Sequence, residues 1–237
     1  MRRFWNEVAP VALAEGFAIH LDGRPLRLPE GGELRLPGAA LAAAVAEEWR
    51  GLGPEFSYDD VKLTRIVGTG TSRIAPAPEP SIAALACYGE SDLLCYRAPA
   101  PAALIRRQQE RWQPWLDWAA RALDAPLAVT DGVMPCPQPA ASLAALRAAL
   151  AREGAIRLAA LGVLVPALGS LVLGLAVAAG ALDGAQAQTL AELDALFQEE
   201  IWGRDEAAAA RRARAADEIA TAARILALTR HSGGTPP

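Results

Sequence analysis

In the first third of the chain, apolar positions recur at every second residue and later at every fourth. Phe17, Ile19 and Leu21 alternate with small or polar residues, Asp22-Gly23 supplies the positive-φ pair that a tight turn demands, and Leu26 and Leu28 resume the alternation. This predicts a β-hairpin. Pro29 to Gly32 make a second turn, Glu33 to Leu36 a third short strand, and Pro37 closes it. Between Gly38 and Gly51 the period changes: Leu41, Val45 and Trp49 share one helix face, which Gly51 and Gly53-Pro54 bring to an end. Ser57 to Asp60 read as a turn or cap leading into a short helix through Leu63, Ile66 and Val67.

Ala75-Pro76-Ala77-Pro78-Glu79-Pro80 has too many prolines to continue a helix or to lie inside a sheet, so it marks a boundary. The division expected is a small α+β domain over 1–76, a proline-rich linker over 77–80 and a helical domain over 81–237. Helices are predicted at Ser81 to Tyr88, Pro101 to Leu123, Pro139 to Arg152, Gly184 to Trp202 and Asp205 to Leu228, with Leu127 to Thr130 as an isolated extended piece. Pro114 is expected to kink or start its helix, and the tail Ser232 to Pro237 to fray. The fold class is therefore α+β: a small N-terminal hairpin sheet with a helix, then a larger all-α part.

Leu158 to Leu182 carries no charge and is long enough to cross a bilayer. Its alanines and glycines supply little transfer energy, and no basic cluster flanks it. Two buried helices broken near Pro166 to Ser170 are the better reading, with no membrane span expected.

Composition narrows the function. Of 237 residues, 52% are hydrophobic and 21% charged, which excludes a disordered chain. Only one of the 23 basic residues is a lysine, Lys62, and 27 acidic residues bring the net charge to -4, the wrong balance for gripping nucleic acid. Cys87, Cys95 and Cys136 are odd in number and lack metal spacing, so they read as reduced core or interface thiols in a cytoplasm-like compartment.

Candidate chemistry is sparse. His20 lies on the hairpin and His231 in the tail; neither Cys-x-x-Cys nor His-Glu-x-x-His occurs, and no metal or cofactor is expected. Gly68-Thr69-Gly70-Thr71-Ser72 lacks the Lys-Ser/Thr ending of a phosphate loop and reads as a weak helix or turn. Trp112, Trp115 and Trp118 are expected as buried anchors on one helix. The Gly184 to Trp202 helix says most. Leu190, Leu193, Phe197 and Ile201 define its buried stripe, and Asp194, Gln198 and Trp202 run along the border at i, i+4 and i+8. Such an edge, ending in an aromatic and Gly203, suits a partner; the alternative is a solvated border with Trp202 folded into the core.

These motifs occur in a known order. Arg3-Phe4-Trp5, Leu21-Asp22-Gly23-Arg24, Glu48-Trp49, Leu63-Thr64, Ser91 to Arg97, Gln108 with Trp112-Gln113-Pro114 and Trp118, Gly169-Ser170-Leu171-Val172-Leu173, and Gln198 with Trp202-Gly203-Arg204-Asp205 together span nearly the whole chain. The set resembles the assembly chaperones of the ATP synthase catalytic head that act on the alpha subunit, the Atp-twelve family. The resemblance implies a two-domain chaperone that binds free alpha subunit and shields its beta-contacting surface, with Asp194, Gln198, Trp202, Gly203, Asp205 and Trp49 as partner-binding candidates. It further implies a bacterial cytoplasmic member without a presequence, since the first motif begins at residue 3. A monomer without catalytic activity is expected. The competing class is a small hydrolase-like enzyme with an inter-domain pocket, using Asp194, Asp205 or Cys95.

Overall fold

In the computed structural model, which describes residues 1–29, 31–132 and 134–230, the sheet forms first in the chain. β1 (Val8–Ala12) pairs antiparallel with β2 (Phe17–Leu21) along its whole length. β2 turns at Asp22-Gly23, with φ of 47° and 76°, into β3 (Arg24–Pro25), and its other end pairs with β4 (Arg35–Leu36). β1 was not expected from the sequence. Its alternation is interrupted by Pro10, which a strand tolerates because β1 lies at the sheet edge. α1 (Ala39–Arg50) closes the sheet by burying Leu41, Val45 and Trp49, the face that the period predicts.

Several of the short motifs are halves of one clasp. The Glu48 carboxylate on α1 accepts the N–H groups of Leu63 (2.6 Å) and Thr64 (3.0 Å) and the Thr64 hydroxyl (2.7 Å), capping α2 (Lys62–Thr69) from outside. Trp49 Nε1 donates to Thr64 Oγ1 at 2.8 Å. Ahead of α2, Ser57 and Asp60 form a capping box around a short turn at Tyr58–Asp60, and the Ser57 backbone and side-chain hydrogen bonds hold the Asp60 carboxyl below its ordinary value. A single π-turn, Gly70–Ile74, extends α2. The hydroxyls of Thr71 and Ser72 donate to the Val67 and Gly68 carbonyls, so this glycine-rich stretch is helical backbone and forms no phosphate loop. A Cβ at Gly70 would lie 2.7 Å from the Ile156 Cα, which is why only glycine fits there.

α3 (Glu79–Ala86) begins inside the proline-rich segment, with Pro78 as its N-cap residue and Pro80 in its first turn, where a missing N–H costs nothing. β5 (Tyr96–Arg97) follows, then α4 (Ala102–Ala122), which passes Pro114 without interruption. β6 (Thr130–Asp131) pairs parallel with β5, so the extended piece is a paired strand rather than an isolated one.

The chain continues through α5 (Ala140–Ala151), α6 (Ala155–Leu168), α7 (Leu171–Ala179), α8 (Gly184–Ala191), α9 (Leu193–Trp202) and α10 (Glu206–Leu228). The α+β layout is as expected, and so is the interruption of the apolar run: Pro166 lies within α6, and the break falls at Gly169-Ser170, inside the expected Pro166 to Ser170 stretch. One element is corrected. The single helix expected over Gly184 to Trp202 divides at Glu192 into α8 and α9.

The apolar segment is core. Leu158, Leu161, Leu164, Leu168 and Leu171 to Leu173 are buried, and among the described residues no helix is long and apolar enough to cross a membrane. Its central turn is fastened by a second clasp. Ser170 Oγ accepts the Leu173 N–H (3.0 Å) and donates to Asp92 Oδ1 (2.8 Å), while Asp92 Oδ2 accepts the Val172 N–H (3.0 Å). Complete burial pushes the Asp92 carboxyl up to about 6, against the lowering effect of its hydrogen bonds. His231 and the tail Ser232 to Pro237 lie outside the described residues.

Candidate functional site

α9 is gripped along both flanks and left open at its end. On one side α4 runs antiparallel to α8 and α9. Trp112 Nε1 donates to the Leu190 carbonyl (2.8 Å), Gln108 Nε2 to Asp194 Oδ1 (2.8 Å), and Arg107 forms a two-bond pair with Glu200 (2.6 and 2.8 Å). The Arg107 guanidinium also lies 5.0 Å from the Phe197 ring centroid. On the other side Arg212 of α10 reaches Glu192 (3.1 Å) and Glu199 (2.7 Å). The Glu199 hydrogen bond raises the Arg212 pKa, as the Glu200 bond raises that of Arg107.

These attachments flank the split at Glu192. Neither glycine nor proline lies there; α4 and α10 bind the chain on both sides of the break, at Leu190 and Glu192 and again at Asp194 and Glu199.

Asp194 and Gln198 are half-buried along the α9 border, as the spacing predicts. Ile201 departs from prediction: it was placed in the buried stripe and is 55% exposed. The last turn of α9 extends beyond Phe197, the second of the two α9 residues that are buried. Trp202 is 80% exposed, so the alternative in which it folds into the core does not hold. Gly203 ends the helix at φ 92°, a left-handed value that suits glycine. Asp205 is the N-cap of α10, accepting the Ala207 (2.8 Å) and Ala208 (3.1 Å) N–H groups, which hold its carboxyl below the ordinary value.

Trp49 lies elsewhere. It is buried against Trp5 (5.0 Å between ring centroids) and Phe56 (5.9 Å), and its indole N–H is spent on Thr64, so it leaves little surface for a partner. Sequence reasoning placed Gln108 and Arg107 in no site. The available signal was a glutamine one turn before Trp112 on the buried face of α4.

The enzyme alternative finds little support. Burial and the nearby Asp92 carboxylate push the Cys95 thiol up to about 12, which leaves no thiolate at neutral pH. A cleft of about 670 Å³ does open between β4, the π-turn, α6 and the end of α10, but none of Asp194, Asp205 and Cys95 lines it. Its Arg157 is tied to the carbonyls of Ala178 (2.8 Å) and Leu226 (2.9 Å). Trp112 is buried as expected, and Trp115 and Trp118 are partly so.

Comparison with known proteins agrees with this architecture. The family model of the ATP12 chaperone protein matches residues 2–120. The crystal structure of Atp12 from Paracoccus denitrificans superposes with a TM-score of 0.92 and 44% identity over 97% of this chain and 98% of that one, and a substituted variant of that protein gives the same values. An Agrobacterium tumefaciens protein described as a candidate chaperone superposes with a TM-score of 0.92 at 36% identity, over 97% of this chain and 86% of that one. With its family model covering half of its length and a relative matching almost all of it, the chain belongs to the ATP12 chaperone family.

Proposed function

We propose that the protein binds free alpha subunit of the ATP synthase catalytic head and covers its beta-contacting surface until the hexamer assembles. The observation that carries this reading is the end of α9, where Ile201 and Trp202 stand exposed on a helix whose flanks are fastened to α4 and α10. An orphaned alpha subunit exposes an interface meant for permanent burial, and such a surface associates non-specifically until something covers it. A large aromatic at the centre of a contact, bordered by polar groups that set its orientation, is what a reversible cover requires. Asp194, Gln198, Trp202 and Gly203 form the contact edge, while Asp205 fixes the turn behind it and Trp49 stabilises the N-terminal part.

On this reading the protein acts as a monomer in the bacterial cytoplasm, makes and breaks no covalent bond, and releases its client when the beta subunit competes for the same surface. Residues 1–76 and 81–237 act as two domains joined at the prolines. The test is co-purification with isolated alpha subunit and suppression of its aggregation without added ATP. Preferential capture of the assembled hexamer would overturn the proposal.

A further inference from the structure

Gln108 is 1% exposed, and both ends of its amide are engaged. Its Oε1 accepts the Ala98 N–H at 2.8 Å. A backbone N–H can only donate, so the other end of the amide is the NH₂ group, and this donates to Asp194 Oδ1. The orientation of the amide is thus dictated by its partners.

The support behind it is rigid. Ala98 follows β5 directly, and Arg97 is buried there with Nη1 donating to the Gln108 carbonyl (2.8 Å) and Nε to the Leu94 carbonyl (3.0 Å). Its guanidinium lies 5.5 Å from the Trp112 ring centroid. Gln108 is therefore held by its main chain and its side chain from two consecutive residues. Asp194, by contrast, is half-buried at the border of α9, and among the described residues its Oδ2 accepts no hydrogen bond. One oxygen is anchored and the other has no partner among the described residues.

We propose that Gln108 is a positioning residue for partner capture: it fixes the Asp194 carboxylate so that Oδ2 faces a hydrogen-bond donor on the alpha subunit. The inference rests on the reading of α9 as the contact edge. A carboxylate already locked in its bound rotamer loses less freedom on association than a loose one, and a hydrogen bond to a charged group is sensitive to geometry.

Binding of isolated alpha subunit is measured for the full chain and for Gln108→Met, Gln108→Glu, Asp194→Ala and Gln108→Met with Asp194→Ala, with circular dichroism and melting recorded in parallel. Gln108→Met is expected to bind about tenfold more weakly, and to have no further effect once Asp194 is alanine. Gln108→Glu keeps the size and the Ala98 bond but sets a second carboxylate against Asp194, so it should bind at least as weakly; it keeps the test decisive if the methionine variant fails to fold. Undiminished binding by both Gln108 variants, or an equal loss from Gln108→Met in the Asp194→Ala background, overturns the positioning role. Undiminished binding by Asp194→Ala overturns the reading of the α9 edge itself, and the positioning role falls with it.

Discussion

α7 and α9 are nine and ten residues long and both mostly apolar, yet they meet the rest of the molecule differently. In α7 every residue from Leu171 to Ala178 is buried, whereas in α9 only Leu193 and Phe197 are. α7 lies among other helices on all sides and has no surface left to offer. α9 inserts two side chains one turn apart and is otherwise held by polar contacts at its borders. Exposed ion pairs such as Arg107 with Glu200 add little stability, but they fix how the helix lies. A helix attached in this way can keep Ile201 and Trp202 in water at no expense to the core.

The largest expected effect sharpens that contrast. Leu173→Ala should lower unfolding stability by about 2–5 kcal/mol, read by urea titration, because the surrounding helices cannot close the cavity. Leu196→Ala, at a half-buried position of α9, should lower it clearly less; equal losses would remove the distinction.

Next comes the clasp that starts α7. The Asp92 carboxyl titrates at about 6 in the fold against an ordinary 3.8, so the folded chain holds this proton more tightly than the unfolded one. The stability it contributes is fully present below pH 3.8 and is lost as the pH rises through about 6. Relative to Asp92→Asn, the parent should therefore lose about 3 kcal/mol across that window, measured by denaturant titration at several pH values. A pH-independent difference would mean that the carboxyl is not raised.

At the open end of α9 the expected signature is reversed. Trp202→Ala should change stability by no more than about 0.5 kcal/mol, yet weaken alpha-subunit binding by about 2 kcal/mol, roughly thirtyfold. Asp194→Lys should likewise weaken binding while the helical signal persists. Loss of folding in both would make these side chains structural.

The smallest effect is local. Asp205→Ala should leave the melting temperature nearly unchanged while amide exchange at Ala207 and Ala208 quickens, because the first turn of α10 loses its cap.

Local chemistry made part of this fold legible. Asp22-Gly23 announced its turn, Leu41, Val45 and Trp49 announced their buried face, and Ser57 with Asp60 announced a cap. Features imposed from a distance were hidden. The division of α8 from α9 has no local breaker, and its two sides are bound by Trp112 and Gln108, the latter 86 residues away from Asp194. β1 was hidden because Pro10 breaks its alternation, and only its pairing with β2 makes it a strand. Ile201 misled for the opposite reason: its spacing continues the buried stripe, but among the described residues no neighbour covers the last turn of α9. The candidate edge was thus readable as a row of residues, while its support was not.

The contact at Gly70 has a mechanical consequence. At this point the first third of the chain touches the helical bundle backbone to backbone, with room for a hydrogen but not for a methyl group. A single added carbon there would act as a wedge, prising α2 away from α6 without removing one contact inside either layer. How tightly the sheet-bearing part is coupled to the part that carries α9 therefore depends on the smallest side chain available.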